Sequence, residues 1–95
     1  MNITKEWFKE HGFNVIENDD KIIAEKAKFI FNERVSYFRW DYVFPKFPKE
    51  DCNNGFYLLY AINNTSNIKV ECCFTEKPFS VATIETILNL INMNY

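Results

Sequence analysis

The sequence is poor in the residues that build phosphate-binding and metal-binding sites. Its 95 residues include two glycines, one histidine and three cysteines. A phosphate-binding loop needs several glycines close together so that the backbone can approach the ligand, whereas Gly12 and Gly55 are well separated. A zinc site needs about four ligands in spaced pairs, but Cys72 and Cys73 are adjacent in a predicted strand and point to opposite faces. We therefore expect no cofactor, no metal ion and no catalytic residue, and so not an enzyme.

A surplus of basic residues is also lacking. Eleven Lys and Arg stand beside thirteen Asp and Glu, and the net charge is -2. Because phosphate contacts dominate the affinity for nucleic acids, we expect no direct contact with them. No apolar run is long enough to span a bilayer, and the amino end does not have the basic-then-apolar layout of an export signal. We expect a cytoplasmic protein that does not contact membranes, with its cysteines as free thiols.

The residues that are present predict one α+β domain over residues 1–95, with a helix near each end. Thr4 is a suitable N-cap for the first helix, and Gly12 stands where a left-handed C-terminal residue would let Phe13 fold back onto Phe8. His11 falls in the last turn of that helix, where its charge suits the helix dipole better than it suits catalysis. Ser80 is the expected N-cap of the second helix.

Between the helices the pattern predicts an antiparallel sheet of four to five strands, so the domain has two layers. Asn18 to Lys21 form a turn, and a strand runs to Pro45. Phe56 to Ile62 is apolar on both faces, as in a strand covered on both sides or shared with a partner. Residues 21–36 fit two structures, because apolar residues recur at helical spacing while the composition favours strands. We favour the strand.

Aromatic residues are abundant, at ten Phe, five Tyr and two Trp. In "FRWDYVFP" the aromatic residues Phe38, Trp40, Tyr42 and Phe44 alternate with other residues, which predicts the inner face of the sheet under the last helix. One core of this size does not easily hold every aromatic ring together with Ile, Leu and Val. We therefore expect some rings to lie at the surface, although the pattern leaves open which aromatic face is exposed.

Exposed aromatic residues beside arginine are typical of protein–protein interfaces. The predicted contact residues lie on the polar face of the strand that ends at Pro45, in the strand from Phe56 to Ile62 that is apolar on both faces, and in the loop between Pro45 and Glu50. These residues are Arg39, Asp41, Tyr57, Lys46, Phe47 and Lys49. The alternative to a projecting Phe47 is a loop residue whose ring folds back over the edge of the core.

Two functions remain open at this stage. The first is a small non-catalytic binding module, such as an inhibitor or antagonist of the immunity type or encoded by a phage, that blocks a surface of another protein. An acidic chain would suit a basic, nucleic-acid-handling partner. The alternative is a small-ligand-binding α+β domain, with or without weak enzymatic activity, whose aromatic face lines a pocket. A homodimer through Phe56 to Ile62 is compatible with either.

Overall fold

The computed structural model describes residues 1–45, 55–71 and 75–93. The elements in chain order are α1 (Lys5–Glu10), β1 (Asn14–Glu17), β2 (Lys21–Ile30), β3 (Glu33–Val43), β4 (Phe56–Asn63), β5 (Ile68–Val70) and α2 (Val81–Leu90). The five strands form one antiparallel sheet in the order β1-β2-β3-β4-β5. This confirms the predicted two-layer α+β fold with a helix before and after the sheet.

Both ends of α1 follow from local chemistry. The Thr4 hydroxyl accepts a hydrogen bond from the Trp7 amide at 3.2 Å, as an N-cap does. Gly12 has a φ of 80°, and the Phe13 amide donates to the Phe8 carbonyl at 2.9 Å. The two phenylalanine rings lie 5.0 Å apart, which is the hydrophobic contact that accompanies this C-terminal motif. The predicted cap, glycine and fold-back are confirmed.

The second helix begins and ends in a similar way. The Ser80 hydroxyl accepts from the Thr83 amide at 3.1 Å. At the other end Asn92 has a φ of 55°, and the Met93 amide donates to the Leu88 carbonyl at 2.9 Å. Here asparagine takes the left-handed position that glycine takes in α1. The buried side of α2 is apolar and consists of Ile84, Ile87, Leu88 and the following Ile91.

Residues 21–36 are strand, as favoured, apart from the turn at residues 31–32. Asn18 closes the first turn, since its side-chain oxygen accepts from the Asp20 amide at 2.8 Å and from the Lys21 amide at 3.0 Å. The long hairpin of β2 and β3 turns at Phe31 and Asn32, both at positive φ. Backbone pairing along the whole hairpin prevails over the helical spacing of the apolar residues, because each strand buries one face against the helices.

The inner face of the sheet is the one that the helices cover, and it carries Phe38 and Trp40. Both rings are buried, and the Phe8 ring of α1 lies 5.8 Å from Phe38 and 5.1 Å from Trp40. Tyr42 and Phe44 pack against the same core from half-exposed positions. The aromatic side of "FRWDYVFP" is therefore interior.

The last carbonyls of α2 are bound by the sheet. The Ile91 carbonyl accepts from the Ser36 hydroxyl and from the Asn63 side-chain amide, each at 2.7 Å. Both polar side chains are buried on the inner face. Nearby, the Lys28 ammonium donates to the Asn92 carbonyl at 3.0 Å. These bonds satisfy helix-end carbonyls that have no partner within the helix, and they hold α2 in place over the sheet.

Candidate protein-binding surface

The outer face of the sheet is the face opposite Phe38 and Trp40. In the part of the chain that the structure describes, both helices pack on the inner face and neither covers the outer one. Strand alternation places a mixture of apolar, aromatic and charged side chains there. Its apolar and aromatic members include Ile16, Ile23, Ala27, Tyr37, Val43, Phe56, Leu58, Tyr60 and Ile62. All of them except Ile16 are half-buried.

An ion pair lies at the centre of the outer face. Arg39 and Asp41 are two residues apart on β3 and share this face. The Arg39 Nε donates to one carboxylate oxygen of Asp41 at 2.8 Å, and its Nη2 donates to the other at 3.0 Å. The Asp41 carboxylate raises the pKa of Arg39 through this hydrogen bonding. Lys21 lies at the edge of the pair, 3.9 Å from Asp41.

The two members of the pair differ in exposure. Asp41 is only 5% exposed, whereas the Arg39 side chain is 37% exposed. A two-point contact between a guanidinium and a carboxylate fixes the plane of the arginine. The buried carboxylate therefore orients an accessible guanidinium, which suits recognition of a partner better than it suits catalysis.

A second polar contact fixes an aromatic ring beside the ion pair. The Tyr37 hydroxyl donates to the Glu25 carboxylate at 2.8 Å. Burial and this hydrogen bond raise the pKa of Tyr37. The Tyr60 ring lies 6.2 Å from the Tyr37 ring. The Arg34 guanidinium lies 4.9 Å from the centre of the Tyr37 ring. Tyrosine rings and arginine thus alternate across β3 and β4.

Between Arg39, Asp41, Leu58 and Tyr60 the surface has a shallow depression of about 190 Å³. Ligand pockets in proteins usually enclose about 300–1,000 Å³. This depression is smaller, and it lies on an open sheet face. Such a shape fits one projecting side chain of a partner better than a whole small molecule.

The predicted contact residues do not share one surface. Arg39 and Asp41 lie together on the outer face. Tyr57 lies on the inner side of β4, where its ring is 4.8 Å from Tyr42 and 6.1 Å from Trp40. The three loop residues of the prediction, Lys46, Phe47 and Lys49, lie outside the described residues.

His11 has a structural position. Its Nδ1 lies 2.7 Å from the Trp7 carbonyl oxygen, and its ring stacks on the Trp7 ring at 4.0 Å. Among the residues that the structure describes, no three His, Cys, Asp or Glu side chains converge in a way that could hold a metal ion. The three cysteines lie outside those residues.

A group of exposed apolar residues was missed by the sequence analysis. At the end of the β2–β3 hairpin, Phe31 is 96%, Phe29 60% and Ile30 48% exposed. The sequence pattern favoured strand over residues 21–36 and predicted no turn there. The available signal was Asn32, which is common at positions with positive φ.

Comparison with known proteins gives no relative: no family model, no curated protein and no solved structure matches the chain. In the described residues neither helix has the length and apolar character needed to cross a bilayer. The geometry of the outer face and of the hairpin end is therefore the basis for any statement about function.

Proposed function

We propose that this chain is a small non-catalytic module of the cytoplasm that binds another protein and blocks one of its surfaces, as an inhibitor or antagonist does. The observation that carries the proposal is the Arg39–Asp41 pair, beside Leu58 and Tyr60 on the sheet face that, in the described part of the chain, lies opposite both helices. Arginine and tyrosine surrounded by apolar contacts are the composition of binding hot spots.

The charge of the outer face fits a protein partner. Lys21, Arg39 and Lys69 are balanced by Glu25, Asp41 and Glu71, which leaves Arg34 over Tyr37 as the surplus charge of this face in the described residues. The chain as a whole carries -2, which would speed encounter with a basic partner such as a nucleic-acid-handling protein. An antagonist of the immunity type, or one encoded by a phage, acts in this manner.

The size of the face is consistent with this function. Four strands spaced by about 4.8 Å, with about eight residues rising 3.4 Å each, span roughly 19 by 27 Å. A surface of about 500 Å² is at the lower end of what one partner contributes to a specific complex. Additional contacts from outside the sheet face would bring the interface into the usual range.

The test is copurification of the tagged 95-residue chain from native lysate. Arg39→Leu combined with Asp41→Leu removes the ion pair without leaving a buried charge, so the fold should persist. We expect the wild-type chain to retain a specific partner and the double variant to lose it. A matched control is Lys5→Ala with Glu17→Ala, which removes an ion pair of 2.9 Å that is more exposed and should leave retention unchanged.

Two results would contradict the proposal. One is a wild-type chain that retains no reproducible partner. The other is equal retention by wild type and by the Leu double variant, with circular dichroism showing that both are folded. The second result would remove the outer face from the interface.

A further inference from the structure

The end of the long hairpin extends beyond the rest of the sheet. The neighbouring strand β1 pairs only with residues 22–25 of β2, and β4 pairs only with residues 36–43 of β3. Residues 29–32 therefore lie on a two-stranded projection, and we call them the hairpin tip. The molecule is correspondingly long, at 49 by 22 by 21 Å.

The hairpin tip is apolar and exposed. Three consecutive large apolar residues stand there, and Phe31 is almost fully accessible. In contrast, Phe8, Phe13, Phe38 and Trp40 are all buried in the core. Single exposed apolar residues are common, but a contiguous group on a projection marks a site of interaction.

Turn geometry does not account for Phe31. Phe31 and Asn32 have φ values of 50° and 66°, as in the tight turns that usually contain Asn and Gly. Asparagine tolerates this conformation, whereas a bulky aromatic residue does so at a cost. Pairing of Ile30 with Glu33 holds the turn in place. In the described residues neither packing nor backbone preference favours a phenylalanine here, which leaves contact with another molecule as the explanation to test.

Charged residues behind the hairpin tip indicate what kind of molecule it meets. Residues 26–34 contain Lys26, Lys28 and Arg34 against the single carboxylate of Glu33, in a chain of net charge -2. The two lysines lie on the inner face and donate to the His11 and Asn92 carbonyls, which are neutral acceptors, and Arg34 lies over Tyr37 on the outer face. This local positive charge fits acidic groups on a partner. A lipid core is disfavoured, because Asn32 and Glu33 at the turn would enter it together with Phe31.

The hairpin tip is also continuous with the outer face. Arg34 pairs with Phe29 across the hairpin, and its guanidinium lies over the Tyr37 ring on the outer face. A partner that covers Tyr37 and Tyr60 thus reaches the base of the projection. The tip supplies the contact area that the sheet face alone lacks.

We propose that the hairpin tip is an anchor that inserts Phe31, with Phe29 beside it, into an apolar cleft with an acidic rim on a protein partner. This rests on the proposed function, because it names the part of the chain that enters that partner. Exposed aromatic anchors of this kind dominate the affinity of many interfaces.

Two variants separate the effect of the Phe31 ring from the effect of the turn conformation, and a third tests the charge. Phe31→Gly removes the ring and suits positive φ, so it should melt at or above the wild-type temperature while weakening partner retention by about tenfold or more. Asn32→Gly is the matched control, since it suits the same turn and keeps every apolar side chain. It should retain the partner fully. Arg34→Glu should weaken retention by opposing the acidic rim.

Site-specific crosslinking then locates the contact. The full chain carrying p-benzoylphenylalanine in place of Phe31 is irradiated with the partner retained by the wild type, and the adduct is mapped by mass spectrometry. We expect an adduct within an apolar cleft flanked by Asp or Glu. Parallel samples contain vesicles of equal parts phosphatidylcholine and phosphatidylglycerol, or the chain alone.

Each other outcome has a defined meaning. Unchanged retention by Phe31→Gly overturns the anchor but leaves the proposed function standing, whereas a wild-type chain without any partner overturns both. Vesicle binding that depends on Phe31, or an adduct between two copies, would assign the hairpin tip to lipid or to self-association instead. A lower melting temperature for Phe31→Gly would mean that the ring serves the fold.

Discussion

The buried bonds to the Ile91 carbonyl allow a quantitative test of how α2 is held. Ser36 and Asn63 both donate to this oxygen at 2.7 Å. The side-chain oxygen of Asn63 also accepts from the amides of Thr65 and Ser66 at 2.9 and 3.0 Å. One asparagine thus joins the end of a helix to the turn after β4.

The magnitudes follow from the number of bonds and from the oxygen that they share. Ser36→Ala removes the bond to the Ile91 carbonyl and a longer one, of 3.3 Å, that its hydroxyl accepts from the Asn63 side-chain amide. Asn63 still satisfies the carbonyl, so the change should cost about 1–2 kcal/mol. Asn63→Ala loses two turn contacts as well and should cost about 2–3 kcal/mol. The double variant leaves a buried carbonyl without a donor, which adds about 1–3 kcal/mol beyond the sum of the single changes.

The assay is urea unfolding followed by tryptophan fluorescence, because Trp40 is buried in the core. The total stability of such a domain is about 5–10 kcal/mol, so a loss of this size is easily measured. Asn64→Ala serves as a control, since Asn64 is exposed and donates to the Arg34 carbonyl at 3.0 Å. It should cost less than about 1 kcal/mol. An additive double variant would refute the reasoning, because water would then reach the Ile91 oxygen.

Two further predictions concern backbone space and pH. Gly12→Ala places a Cβ at φ 80° in ordinary contact with the Lys26 ammonium, 4.0 Å away, and should cost about 1 kcal/mol. Gly55→Ala should cost more, about 2–3 kcal/mol, because its Cβ would overlap the carbonyl oxygen of Val43; equal losses in urea unfolding would contradict this. Burial and the hydrogen bond to Glu25 raise the pKa of Tyr37 above its usual 10.0, so the folded state keeps its proton longer than the unfolded state. Its contribution is therefore present below about pH 10 and is lost as the pH rises further. Tyr37→Phe should flatten the alkaline decline of the unfolding free energy, and an unchanged slope would refute the assignment.

Much of the fold could be predicted because its signals are local. The caps at Thr4 and Ser80, the left-handed Gly12 and the turn at Asn18 each depend on contacts within a few residues. The strand alternation that ends at Pro45 is equally local. These elements define both ends of the chain and one central strand, and together they imply a two-layer arrangement.

The candidate binding surface was harder to predict because it depends on the pairing of strands that are far apart in the sequence. Arg39 and Asp41 share a face by their spacing alone. Tyr57 belongs to the other face because it pairs with Tyr42, and the register between β3 and β4 cannot be read across the long connection between them. Phe31 fitted an apolar pattern in either a helix or a strand. Its exposure depends on how far the hairpin runs past its neighbours.

The projecting hairpin has a mechanical consequence. Beyond Lys28, which is opposite the last β3 residue paired with β4, only Phe29 and Ile30 of β2 continue to the turn, and at about 3.4 Å per residue they reach roughly 7 Å past the rest of the sheet. A ribbon of two strands without lateral support is weak on its own and bends easily. The end of the hairpin can therefore change its angle while the rest of the sheet stays fixed. For the proposed anchor this means that the first contact with a partner and the final bound state need not require the same relative orientation.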